Sequence, residues 1–503
     1  MIERSGGRAR GRALREIWLT TTAMGTGLFL CSIAPNSALA ACTTTTGSGI
    51  YFCSGTTSWP GLNLLYPPAE NVTVTVEAGA TVLGGGANPV TDPNAGPYAG
   101  PPSVAAIGVG ANSIINNGGA VTGGEDAIVS QGGDLTVNNT ASVTANGGIA
   151  IRSDGSVSVN STGSISGQIG VQAAGAATVI NSGTISGPTG GTFQGVAGLS
   201  VSLVNSGTIS TAYVGVNAGI GGATVINQGT IRVTEALSAA ISSNGGLTLD
   251  NSGNISGSVS TLDGDTAIAN KGTIDGGRNI GIYTAGALTL NNNAGGLVSS
   301  SGADISTVGA SSIIIVNDGT IKSTGAGGSG VTAYTNLSGT NNGSITASNN
   351  GAGIHAFQDM TLTNKGTITT GNTTGLTSQA VAVRADNILN LTNQGVISTG
   401  TTGANIAVQA GAAANVVNSN KITAGGADSY GILSGGDVTL RNSGTITATG
   451  AAAIGVYAGG SSNVANSGSI IAEDTAVSTK YLSVVSNTGT ITAGIVGVTV
   501  DFH

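Results

Sequence analysis

The sequence predicts an all-β chain wound as a right-handed parallel β-helix of about 17 or more coils, with three short strands per coil. The first observation behind this is a five-residue slot, Asn-x-Gly-Thr-Ile. It reads NSGTI at Asn181, Asn205 and Asn442, NKGTI at Asn270 and Asn364, NQGTI at Asn227, NDGTI at Asn317 and NTGTI at Asn487. Weaker copies start at Asn117, Asn139, Ser161, Asn251, Asn293, Asn341, Asn393, Asn418 and Asn466. These 17 slots recur about every 23 residues, a period that marks a solenoid. The second observation is alternation of aliphatic and polar residues around each slot. The third is proline: nine of the ten lie at or before Pro102, leaving only Pro188 in the repeats. Proline cannot donate to a sheet ladder, so its scarcity marks continuous strand pairing.

The elements of one coil follow in order. A Gly/Ala-aliphatic-x-Ala segment, as in Gly170-Val171-Gln172-Ala173 or Gly455-Val456-Tyr457-Ala458, reads as a first strand. Alternating stretches such as Val438-Thr439-Leu440-Arg441-Asn442 and Leu247-Thr248-Leu249-Asp250-Asn251 read as a half-buried second strand. The Asn-x-Gly that ends it reads as a tight bend, because Asn and Gly tolerate positive φ at little cost. A short third strand then turns the slot's fifth residue, always aliphatic, inward. In register, the slot asparagines Asn181, Asn205, Asn227, Asn251, Asn270, Asn317, Asn364, Asn442, Asn466 and Asn487 are expected to hydrogen-bond along the stack, as amide ladders do. At ~4.8 Å per strand, 17 coils give a rod of roughly 80 Å. Handedness is expected from general chirality rather than from any residue.

Residues 1–40 read as a secretory signal peptide: Arg4, Arg8, Arg10, Arg12 and Arg15 precede an apolar stretch, and Ala38-Leu39-Ala40 offers cleavage after Ala40. Residues 41–68 read as an N-terminal cap, with Trp59 as its apolar plug and a Cys42–Cys53 disulfide expected in an oxidising compartment. Residues 69–503 read as the β-helix. Asn71 to Val76 open its first strands, a Pro/Gly-rich loop spans 84–103, and regular coils run from about 104. Cleavage removes five arginines and two glutamates, leaving 10 basic against 21 acidic residues and a net charge near −11. That balance excludes a nucleic-acid partner, which requires a basic surface to displace counterions.

Candidate chemistry is sparse. His355 and Arg384 share one place in the first strand on successive coils, with Gln409 next and Asp359 and Asp386 nearby. Other coils put Gln172, Asn217, Ser242, Leu433 and Tyr457 there, so the column reads as a solvent-facing strand without a catalytic role. Asp263 and Asp265, Glu125-Asp126 and Glu473-Asp474 read as isolated acids in bends, too few for a calcium site. Tyr213, Tyr283, Tyr334, Tyr430, Tyr457 and Tyr481 read as too scattered for a carbohydrate platform. No catalytic residue, cofactor or metal ion is expected. A polysaccharide lyase or glycosidase is the alternative, since it would need an acid and a base on adjacent coils.

The long signal peptide, the segment from Ala41-Cys42 to Cys53-Ser54-Gly55 and the tandem Asn-x-Gly-Thr-Ile coils resemble the passenger region of bacterial autotransporters (type V secretion). The resemblance covers essentially the whole mature chain and is specific for architecture, not for activity. It implies export, passage across the outer membrane and display as a surface rod, often an adhesin for a host-cell or glycan receptor. It also implies a C-terminal translocator barrel in the outer membrane. The chain runs to Val500-Asp501-Phe502-His503, one strand past the last slot, so the barrel is expected to be lost by truncation or supplied by a partner. An open coil edge there would favour end-to-end self-association or a self-assembling matrix.

Overall fold

The computed structural model describes residues 42–44, 49–57, 62–63, 70–84, 105–187, 193–374 and 379–500. The signal segment with Ala40, the proposed plug Trp59, Pro188 and nearly all of the loop at 84–103 lie outside the described residues. Among the described residues there is no helix; every regular element is a strand.

The predicted coil is the observed one. In one repeat, Ile169–Ala173 is the first strand, Ala176–Asn181 the second and Thr184–Ser186 the third. Each pairs in parallel with its counterparts above and below: Ile151 with Val171 and then Val196, Val159 with Val179 and then Leu203, Ile165 with Ile185 and then Ile209. The third strands alone form a stack of 19, from Thr56–Thr57 to Thr490–Ala493. The chain is therefore a β-solenoid of about 18 turns with three strands per coil.

Alternation explains why these segments become strands. Second strands bury every other residue, so Val157, Val159 and Ser161 point inward while Ser158 and Asn160 face water. The slot's fifth residue forms an unbroken inner column. Ile185, Ile209, Ile231, Ile255 and Ile274 are all 0% exposed. Each such side chain stabilises the fold by about 1.5–3 kcal/mol relative to exposure. The column continues from coil to coil, so a single core cluster runs from Cys53 to Val477.

At the N-terminus, Cys42–Thr44 lies antiparallel to Ile50–Cys53, with Cys42 opposite Cys53 and the two joined by a disulfide. Closing this short loop stabilises the fold by about 3 kcal/mol on the chain-entropy model. Ile50–Cys53 also pairs in parallel with Thr73–Val76, so stacking begins within the segment assigned to the cap. Cys53 and Val76 fall in the same column as the slot asparagines and are buried there, so the amide ladder begins only at Asn117.

Two sequence expectations need correction. Apart from Gly295, in the slot that starts at Asn293, the slot glycines do not adopt positive φ; Gly183, Gly207 and Gly229 are absent from that region. They are glycine because the coils approach too closely for a side chain. A Cβ on Gly207 would overlap the carbonyl oxygen of Gly183, and one on Gly229 that of Gly207. The close approach lets the glycine N–H donate, together with its neighbour's, to the previous slot's carbonyl: Ser206 N and Gly207 N to Asn181 O at 2.8 and 3.1 Å. Where the slot carries Ala141 or Asn420, only the first of these two bonds forms, Thr140 N to Asn117 O and Ser419 N to Asn393 O.

The second correction is one of register. The rung between Asn270 and Asn317 is supplied by Asn292, not Asn293. The bend there is two residues longer, so Val298 rather than Leu297 enters the core column.

Candidate functional site

Two kinds of column must be separated before any residue is assigned a role. The slot asparagines form a buried ladder. Each Nδ2 donates to the Oδ1 of the next rung: Asn205 to Asn227, Asn227 to Asn251 and Asn251 to Asn270, all at 2.8 Å, and so on to Asn466 and Asn487 at 2.7 Å. Asn181 donates to Asn205 at 2.8 Å, and Asn317, Asn364 and Asn442 to Asn341, Asn393 and Asn466 at 2.7, 2.8 and 2.7 Å. Every donor points toward the C-terminal neighbour. The one serine interrupts this. Ser161 accepts from Asn139 at 3.0 Å, but its short side chain does not reach Asn181, whose buried Oδ1 has no partner. The ladder is structural.

The aspartates that precede second strands are structural too. Asp134 Oδ1 accepts from Ser156 N at 2.8 Å, Asp265 Oδ1 from Ala287 N at 3.1 Å, Asp359 Oδ1 from Ile388 N at 3.1 Å and Asp437 Oδ1 from Ser461 N at 2.7 Å. Each caps a backbone N–H of the following coil, and this accounts for Asp359. Asp126 does the same for Ile149 N at 2.7 Å, Asp263 closes its own bend through Gly264 N at 2.8 Å, and Asp474 accepts from Thr475 Oγ1 at 3.4 Å. Among the described residues, no three His, Cys, Asp or Glu side chains are grouped as metal ligands would be.

What remains is on the outer face of the first strands. His355 and Arg384 pair in register, followed by Gln409, Leu433 and Tyr457, as the sequence reading places them. The structure adds a second column at the adjoining corner, one residue after each strand's last residue (an alanine in every case but Ser434): Tyr334, Phe357 and Asp386, then Gly411, Gly435 and Gly459. Successive backbone bonds tie it together, from Phe357 N to Ala333 O and Asp386 N to Ala356 O. The two columns meet around Asp386. Its Oδ1 accepts from Arg384 Nε at 2.6 Å, and its Oδ2 lies 3.1 Å from His355 Nε2. A carboxylate only accepts, so Nε2 carries the imidazole proton and Nδ1 is left as the acceptor of the neutral ring.

The His355 ring stacks on Phe357 with centroids 4.3 Å apart and planes at 30°, and Tyr334 lies 6.0 Å beyond Phe357. Burial pushes the imidazole below its usual range, and the upward pull of Asp386 does not overcome it. Burial also favours the neutral form of Asp386, but hydrogen bonds from Arg384 and His355 outweigh it and hold the carboxyl below its usual range.

An internal control exists for part of this cluster. Arg152 and Asp154 repeat the Arg-x-Asp arrangement, with a 3.3 Å ion pair, on a coil where no ring stacks on them. The Arg384–Asp386 pair alone is thus a feature of the corner. The additions at this place are His355 and the aromatic side chains. Of the tyrosines, Tyr334 joins Phe357, and Tyr430 meets Tyr457 edge-on at 6.0 Å. The expectation of scattered rings therefore fails for these three; Tyr213, Tyr283 and Tyr481 have no ring neighbour among the described residues. Phe357 is the residue missed from sequence. Aligning Ala333-Tyr334, Ala356-Phe357 and Ala385-Asp386 would have placed all three in one column.

A groove of about 600 Å³ lies elsewhere, along the start of second strands from Ala176 to Thr289. It is floored by Thr178, Ser202, Thr224 and Thr248, and its one acid, Asp265, is already engaged with Ala287 N. Volume and chemistry do not coincide, so the cluster around Asp386 is the candidate site. No protein-family model, curated protein or solved structure matches this chain.

Proposed function

We propose that this chain is an exported, surface-displayed rod of the autotransporter-passenger kind, adhesive rather than catalytic. The observation that carries the reading is the division of labour between columns. The interior repeats one solution for about 18 turns, while among the described residues the stack of rings on an Arg–Asp pair lies on one outer face, around Asp386. An adhesive rod requires this: a stiff, self-consistent stack holding a contact face away from its anchor. The basic, apolar and small-residue segments of residues 1–40 support export. On this reading an outer-membrane barrel carries the rod across and anchors it, and the receptor is a host-cell or glycan surface.

A polysaccharide-active enzyme is the second reading, favoured only by the His355–Asp386–Arg384 contacts. Glycoside cleavage uses two carboxyl groups flanking the bond, or a free base, set against the same substrate. Here both oxygens of Asp386 are engaged by its neighbours, and Asp359 is engaged by Asn387 Nδ2 and Ile388 N at 2.7 and 3.1 Å.

Beads coated with the purified protein test both. Retention on cultured cell monolayers well above that of albumin-coated beads is expected, with no release of reducing ends from neutral or acidic polysaccharides. Chain cleavage that disappears in His355→Ala or Arg384→Ala would establish the enzyme instead.

A further inference from the structure

The face around Asp386 has the composition of a sugar-binding surface, and on it we propose a binding site for a linear, neutral glycan lying along the rod axis. This deepens the adhesive reading and rests on it.

The first ground is the aromatic floor. Tyr334 and Phe357 are each 48% exposed on a chain in which aromatics make up only 3% of residues. They stand on successive rungs, steadied by each other and by the His355 ring. Tyr334 extends back over Gly309, where a Cβ would lie 3.7 Å from its hydroxyl oxygen. Beyond Asp386 the corner column falls to Gly411, Gly435 and Gly459, so the rings stand proud of a bare step. A pyranose presents an apolar C–H face that packs on such rings, and aromatic floors with a few placed polar groups are the usual composition of small-ligand sites.

The second ground is the polar fringe. Arg384 uses only Nε in the cluster; its two Nη groups have no partner among the described residues and offer paired donors. Each Asp386 oxygen has one partner and capacity for another. On the next rung, Gln409 is half-buried, and its Oε1, unpartnered where it lies, reaches a ligand by a turn of the amide. Donors and acceptors side by side suit hydroxyl groups, which do both.

Charge selects a neutral ligand. With His355 neutral, the charge of Arg384 is already met by Asp386, and the chain as a whole carries −8. An anionic glycan would meet repulsion without a second cation to offset it. A protein partner is disfavoured by size, because two half-exposed rings are far short of the ~800 Å² per partner of a stable interface.

Extent selects a chain over a single sugar. Along the same strand column, Leu433 and Tyr457 follow Gln409, and Tyr457 meets Tyr430. From Phe357 to Tyr457 is four rungs, about 19 Å. Two aromatic stations thus bracket Arg384 and Gln409 on one face.

Saturation-transfer NMR and calorimetry on the purified full chain provide the test, with cellotetraose, tetra-N-acetylchitotetraose, cellobiose and tetragalacturonate as probes. At least one neutral tetramer is expected to bind and to weaken at least tenfold in Phe357→Ala, while Phe357→Trp retains binding. Tyr457→Ala is expected to weaken the tetramer and leave cellobiose unchanged. Arg152→Ala, on the control pair, is expected to change nothing. Circular dichroism must show each variant folded. Absence of binding by every neutral probe, binding indifferent to Phe357→Ala, or tighter binding of tetragalacturonate would each overturn the assignment. Bead adhesion separates this from the adhesive reading: Phe357→Ala beads that adhere as well as wild type sink the glycan site and leave adhesion standing, whereas wild-type beads that fail to adhere sink adhesion itself.

Discussion

The slot column and the column through His355 lie on the same coils and obey opposite rules. Along the first, asparagine faces asparagine on rung after rung, because each amide must satisfy the one below it and be satisfied by the one above. Along the second, Gln172, Ala197, Asn217, Ser242, Ser260, Tyr283, Gly309, Thr332, His355, Arg384 and Gln409 succeed one another with no shared chemistry. Pairing across a parallel sheet fixes backbone register in both. Only the buried column transmits side-chain identity from coil to coil, since an unmatched polar group there cannot turn to water. Repetition in this molecule marks constraint, and irregularity marks freedom to recognise something.

Substitutions can break that contrast. The largest effect is expected from Asn251→Ala, which removes the acceptor of Asn227 and the donor to Asn270 in a fully buried rung. A loss of about 3 kcal/mol is expected, read as a shift of the urea midpoint, against less than about 1 kcal/mol for His355→Ala on the outer column. Equal losses would remove the distinction.

Next comes Gly229→Ala, with about 2 kcal/mol of overpacking against the Gly207 carbonyl. Its converse, Asn420→Gly, should restore the missing second backbone bond and raise the midpoint. A Gly229→Ala variant as stable as wild type would refute the close-approach explanation.

Smaller still, Ser161→Asn should complete the ladder and give Asn181 Oδ1 its donor, a gain of about 1 kcal/mol. A neutral or destabilising result would mean that the rung has no room for the amide.

The smallest effect is protonic. Burial lowers the His355 pKa from its ordinary 6.5, so below that pH the unfolded chain takes up a proton that the folded chain refuses. Stability therefore declines as pH falls below 6.5, until His355 titrates in the fold as well. Asp386, also lowered, contributes stability that is present above its ordinary 3.8 and lost as pH falls through its folded value. The chain has only two histidines, so NMR can follow His355 beside His503. In Asp386→Asn the imidazole should titrate lower still, because an upward pull has gone. A His355 that titrates above 6.5 in the wild type would contradict this account.

Legibility from sequence divides along the same line. The coil, its three strands and the amide ladder were readable because inward positions repeat at fixed offsets from Asn181, Asn205 and their equivalents. The rung at Asn292 was misplaced by one, since three consecutive asparagines offer three registers and the longer bend hides the choice. The slot glycine was recognised but its reason was not: a sequence does not distinguish positive φ from contact between coils. The site was half visible. His355, Arg384 and Gln409 align within a recognisable strand pattern, whereas Tyr334, Phe357 and Asp386 share only the place after a strand's final alanine, and their unlike side chains hide that alignment.

The uniform direction of the ladder has one more consequence. Because donor and acceptor on every asparagine rung come from the same residue type, any such coil can stack on any other of its kind. Excising Ser206 to Asn227, for instance, would set Asn205 against Asn251 and recreate an existing contact. Rungs are interchangeable parts, so duplication or deletion of whole coils can lengthen or shorten the chain without inventing a new interface. Reach and recognition are thereby separable traits, free to drift independently in the gene.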